Sequence, residues 1–124
     1  MGKWRNGIGS FTVVGQGEPV ALEIAASYGT RRRGLLGRDG IDGALLITPC
    51  GSVHTFRMRM TIDVAYLDRE LRVLLVHTLK PGRLTRPRPR ARHVLESEAG
   101  AMERWGVRPG ARLTVETREK QEDR

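Results

Sequence analysis

The stretch His54-Thr55-Phe56-Arg57-Met58-Arg59-Met60-Thr61-Ile62-Asp63-Val64 carries mostly apolar side chains at even positions and Thr, Arg or Asp at odd ones. Successive strand residues point to opposite faces, so this period of two predicts a half-buried strand, or a pair of them, with the even positions toward a core. Leu67-Asp68-Arg69-Glu70-Leu71 reads as a hairpin turn into Leu71–Leu79. The apolar residues of that second segment fall on both faces, which predicts a central strand.

Outward from this pair, Phe11–Val14 and Val20–Ile24 read as an opening hairpin turned at Gln16-Gly17-Glu18-Pro19, where Gly and Pro supply the backbone angles. Between Ser27 and Gly37 the period becomes helical, with Tyr28, Leu35 and Leu36 on one face and Ser27 or Thr30 as N-cap. Downstream, Pro81–Arg92 combines three prolines with arginines and no acid, a composition that favours an extended loop. His93–Leu95 reads as a strand, Glu98–Trp105 as a helix ended by Gly106, and Ala111–Thr117 as a last alternating strand. About seven short strands and two short helices predict an α+β domain with a mostly antiparallel sheet, curled or partly closed as a barrel to protect its edges. Residues 1–9 read as a flexible arm, 10–117 as one domain and 118–124 as a polar tail.

The chain of 124 residues carries 22 Lys and Arg against 14 Asp and Glu, a net charge of +8, and 39% apolar residues gathered into short runs. Such runs exclude a disordered chain. None approaches the ~20 residues of a membrane helix, so no membrane partner and a cytoplasmic location are expected. The single cysteine, Cys50, forms no internal disulfide.

The residue types permit several sites. Cys50, His54 and Asp63 have the composition of a thiol triad and support a hydrolase-type reading built on Cys50 and His54. Cys50 between Pro49 and Gly51 reads equally as a small buried residue. The histidines His54, His77 and His93 lack the paired spacing of zinc ligands, and no glycine loop has the order of a phosphate cradle, so no metal and no cofactor are expected. Lys80, Arg83, Arg86, Arg88, Arg90 and Arg92 stand unopposed by acid in the proline-stiffened loop 80–92 and suit weak, non-specific binding of nucleic acid or another polyanion. Aromatic residues are only 5% of the chain and absent from this loop, so stacking on bases has little to build on.

Four separated segments form a more coherent set: Arg33-Gly34-Leu35-Leu36-Gly37-Arg38, His54-Thr55-Phe56-Arg57-Met58-Arg59, Ile62-Asp63-Val64-Ala65-Tyr66-Leu67-Asp68, and Val94-Leu95-Glu96 with Ala99-Gly100. Over about residues 20–117 they resemble the bacterial family called domain of unknown function 192. Leu36 stands where that family often has methionine, and Thr61 where its longer segment has proline. The resemblance implies kinship without an established activity. Asp63 and Glu96 read either as an ion pair or helix cap, Glu96 lying just before a helix start, or as ligand-binding acids near arginines. The reading that follows is a non-catalytic or accessory module binding a small ligand or a protein through His54, Arg57, Arg59, Asp63 and Glu96. Polyanion binding through loop 80–92 and the hydrolase reading are the alternatives.

Overall fold

The computed structural model describes residues 4–118. Its elements run β1 (Gly7–Val13), β2 (Val20–Ala25), α1 (Tyr28–Arg33), β3 (Ala44–Ile47), β4 (Ile62–Leu67), β5 (Val73–Leu79), β6 (His93–Glu98), α2 (Ala101–Trp105) and β7 (Leu113–Arg118). All seven strands join one sheet in the order β5-β4-β6-β3-β2-β1-β7. Every neighbouring pair is antiparallel except β2 and β3, which run parallel across the α1 connection. This is the α+β architecture that the strand periods imply.

The sheet curls until its two edges meet at one end. Val73 N donates to Ala111 O (2.8 Å), Gly110 N to Val73 O (2.9 Å) and Leu113 N to Leu71 O (3.0 Å), with Arg72 opposite Arg112. No ladder continues between β5 and β7, so the sheet is not closed. Phe11, Leu22, Leu46, Ala65, Leu95, Leu113 and Met102 of α2 fill the inside of the curl. A second apolar layer, with Leu45, Ile47, Ile62, Val64, Tyr66 and Val94, lies on the opposite face under Leu35, Val53, Met58 and Ala91. Central strands covered on both faces are near-continuously apolar, which accounts for the almost unbroken burial of β3, β4 and β6.

Several sequence expectations are corrected. Residues 54–61 form no strand of the sheet, and His54 makes only an isolated bridge to Leu84. The parity is also broken: odd-numbered Thr55 is fully buried and even-numbered Phe56 is exposed. Thr55 ties this segment to the following loop, its N donating to Arg83 O (2.7 Å) and its Oγ1 to Lys80 O (2.7 Å), while Gly82 N donates to Thr55 O (2.8 Å) and Arg83 N to Thr55 Oγ1 (2.8 Å). β5 is an edge strand rather than a central one, paired only with β4 and half-buried along most of its length.

Residues 7–9, read as part of an arm, begin β1. Gly9 sits so close to Glu116 O of β7 that a Cβ would collide with it, which is the physical reason for glycine there. Asn6 is anchored as well, its Oδ1 accepting from Ala26 N (2.6 Å), Ser27 N (3.0 Å) and Thr30 Oγ1 (2.8 Å). The tail read over 118–124 lies beyond the described residues except for Arg118, which ends β7. Among the described residues no helix is long and apolar enough to cross a membrane.

Candidate functional site

α1 starts at the expected cap, Ser27, whose Oγ accepts from Thr30 N (3.4 Å). It stops earlier than its period predicts, because Gly34 takes φ +50° and ψ −131°, a backbone region that side chains disfavour. A Cβ at Gly34 would lie 3.5 Å from Glu96 Oε1 and 3.7 Å from Ile47 Cδ1. Those are ordinary contact distances, so the backbone angle rather than lack of space calls for glycine where the end of α1 lies over β6 and β3. Between them opens a cavity of about 230 Å³ whose lining includes Arg31, Cys50, Val53, His54, Met58 and Glu96. Three of the four quoted segments meet there, and the fourth is β4, which pairs Val64 with Glu96 in the sheet beneath.

Glu96 belongs to the middle of β6 and not to the approach of a helix. It shares with Val94 the face turned toward the cavity, while Leu95 faces into the curl. The residue is 4% exposed, its Oε1 has no hydrogen-bond partner, and burial alone pushes its carboxyl pKa up to about 7. Arg31 lines the same cavity. Its Nη1 donates to Pro49 O (3.2 Å), whereas its Nε is buried without a partner. No N···O contact within 4.0 Å joins Arg31 to Glu96, although both side chains line the cavity. Buried polar groups are nearly always satisfied, so an orphan acceptor and an orphan donor on two side chains of one cavity single it out.

Cys50 and His54 are brought to this cavity, but not into the geometry of a nucleophile and base. Burial pushes the Cys50 thiol up, outweighing the lowering effect of the Ser52 backbone, and the neighbouring Glu96 charge raises it further; the Sγ–H itself donates to Ser52 O (3.1 Å). A reactive thiol needs the opposite shift. His54 is exposed and stacks on Phe56 with ring centroids 5.0 Å apart, its Nδ1 accepting from Phe56 N (3.3 Å). Asp63 is on the other face of the sheet. Its Oδ2 accepts from Gly100 N (2.9 Å) and Met102 N (3.3 Å), and Thr78 Oγ1 donates to its Oδ1 (2.7 Å). Asp63 therefore caps α2, whose N-cap residue, Gly100, has no side chain to do so. The helix-cap role read for Glu96 falls to Asp63, and α2 begins at Ala101 rather than Glu98, because Glu98 still belongs to β6.

The remaining sequence candidates stand apart. Arg57 is exposed at φ 62°, and Arg59 reaches Asp39 at 3.5 Å in an exposed pair. In the basic loop, Lys80, Arg83, Arg86, Arg90 and Arg92 are exposed and make no ion pair among the described residues. Arg88 differs, because its guanidinium lies over the Tyr66 ring, 5.6 Å from the centroid, with Nη2 3.4 Å from His77 Nε2. His93 is buried, its Nδ1 2.7 Å from Thr48 Oγ1, and burial holds its pKa down. Among the described residues no three His, Cys, Asp or Glu side chains gather as a metal site. Arg31 escaped the sequence reading. Its signal was the run Arg31-Arg32-Arg33 against Gly34, a string of cations at the end of a helix stopped by glycine.

Residues 10–115 match the family model DUF192, Uncharacterized ACR. A UPF0127 protein of Pyrococcus horikoshii is 37% identical over 87 residues, 66% of this chain and 76% of that protein. A UPF0127 protein of Thermococcus gammatolerans is 31% identical over 107 residues, 82% of this chain and 70% of that protein. These relatives are archaeal, so the description of the family as bacterial does not hold. A crystal structure from Sinorhizobium meliloti, described as that of a candidate transcription regulator, superposes with a TM-score of 0.78 over 92% of this chain and 98% of its own at 20% identity. A protein of unknown function from Novosphingobium aromaticivorans gives 0.72 over 85% of this chain and 83% of its own, also at 20% identity. At that identity the likeness is one of fold.

Proposed function

We propose, for a chain that belongs to the DUF192 family, that it is a small-molecule-binding module whose ligand enters the cavity between α1, β6 and residues 50–58. The observation that carries this reading is the Glu96 carboxyl, buried in the cavity wall with its Oε1 unpartnered. A free carboxyl buried this deeply costs stability unless a ligand completes it, and ligand pockets combine apolar walls with a few such polar groups. Leu35, Ile47, Val53 and Met58 supply the apolar walls. The site thus keeps His54 and Glu96 from the sequence reading, leaves out Arg57, Arg59 and Asp63, and adds Arg31. Binding without catalysis fits a raised thiol at Cys50 and a histidine engaged with Phe56. Residues 10–117 are taken as one domain, which the family match over 10–115 supports. A cytoplasmic location accords with the lone free thiol.

The test is a solute screen followed by methyl NMR of Leu35, Ile47, Val53 and Met58. The expected result is that some solutes shift these methyls together and leave Val14 and Val115 unmoved. A screen in which no solute shifts them, or in which shifts scatter over the surface, overturns the reading.

Exposed, unpaired arginines in loop 80–92 favour a second reading, weak polyanion binding, from which Arg88 is subtracted because it is engaged on Tyr66.

A further inference from the structure

We infer that the ligand of this cavity is a small zwitterion, its ammonium group received by Glu96 and its carboxylate by Arg31; the inference rests on the binding-module reading above. Glu96 and Arg31 both line the cavity, and each carries a buried polar atom without a partner, a carboxylate oxygen that accepts and a guanidinium nitrogen that donates. A purely anionic ligand would answer Arg31 and offer Glu96 no donor. A purely cationic one would do the reverse. A molecule bearing both heads satisfies both at once, in charge-assisted hydrogen bonds that are about twice as strong as neutral ones.

Further charge at the rim has one sign. Arg32 and Arg33 also line the cavity, so the carboxylate belongs at the α1 side and the ammonium toward β6. The body of the ligand is bounded by Leu35, Val53 and Met58, which present no side-chain hydroxyl or amide and therefore suit an aliphatic chain. A cavity of about 230 Å³ has room for an aliphatic amino acid.

The test uses matched probes on the full chain: 4-aminobutyrate and L-valine as zwitterions, with butyrate and n-butylamine as single-headed counterparts, titrated by methyl NMR. At least one zwitterion is expected to bind about tenfold or more tightly than either single-headed probe. In Glu96→Gln, which keeps the side-chain volume and removes the charge, the zwitterion is expected to bind no better than butyrate. In Arg31→Gln it is expected to bind no better than n-butylamine. Equal affinity of one-headed and two-headed probes, zwitterion binding untouched by both substitutions, or no response to either zwitterion at tens of millimolar each overturns the inference. If other solutes shift the cavity methyls while both zwitterions stay silent, the inference falls and the binding module stands. If nothing shifts them, both fall.

Discussion

Because burial holds the Glu96 carboxyl near a pKa of about 7, against an ordinary value of ~4.3, folding takes up a proton in the window between those values. The folded state then binds more protons than the unfolded one, so stability is greatest below the lower value and falls as pH rises through the higher one. The expected loss is about 3 kcal/mol between about pH 4.5 and pH 8. Glu96→Gln should remove this slope, which urea unfolding of both proteins across the window measures; parallel curves would refute it. The groups coupled to Glu96, namely Cys50 and Tyr66, are themselves pushed up by burial and titrate above that window. Asp63 makes a contrasting case. Asp63→Ala leaves Thr78 Oγ1 and two α2 amides without their acceptor and should cost about 2–4 kcal/mol. Faster hydrogen exchange at Gly100 and Met102 should accompany it, and unchanged exchange there would show that the cap is not formed. Both acids and both kinds of role were legible in the sequence, but not which acid takes which. Strand parity puts Asp63 and Glu96 on opposite faces only once the register Val64↔Glu96 is known, and register is a tertiary fact.

At the scale of elements, alternation located β4 and β7, passed over β3, whose four residues are all buried between β6 and β2, and misled where a loop imitates the same period. Residues 54–61 alternate, yet their fold is set by Thr55, whose backbone and hydroxyl knit two loops together. A threonine with that task is indistinguishable in sequence from one on a solvent face. Thr55→Val should therefore cost about 1–3 kcal/mol through unsatisfied buried partners, whereas Phe56→Ala should stay within about 0.5 kcal/mol of wild type. Met58→Ala, at the buried even position of 54–61, should cost about 2–3 kcal/mol. Denaturation of the three variants decides the matter, and a Phe56 cost exceeding that of Thr55 would restore the strand reading. The position of β5 was illegible for a related reason. Its apolar residues occupy both faces because a covering layer reaches the edge, and sequence does not separate that case from a central strand.

Over the whole molecule, the excess of positive charge is not balanced on the surface by ion pairs. Among the described residues the pairs are Arg38 with Glu23 at 2.8 Å and Arg59 with Asp39 at 3.5 Å, both away from loop 80–92. Replacing Arg86 and Arg90 by serine should lower affinity for DNA and RNA alike and flatten the log–log salt dependence by about 0.9 for each phosphate contact removed from duplex DNA. Sequence-selective binding that survives the replacement would place the interface elsewhere. The total charge was legible in composition; which arginines are free was not, since Arg88 is engaged by Tyr66, a residue far from it in sequence. The sheet order has one more consequence. β1 lies beside β7 with Ile8 opposite Arg118, so the two ends of the described chain leave the fold side by side. A short glycine linker joining them, with the chain reopened in the exposed turn at Gly17, would yield a circular permutant that keeps every strand neighbour and leaves the cavity residues in their original order.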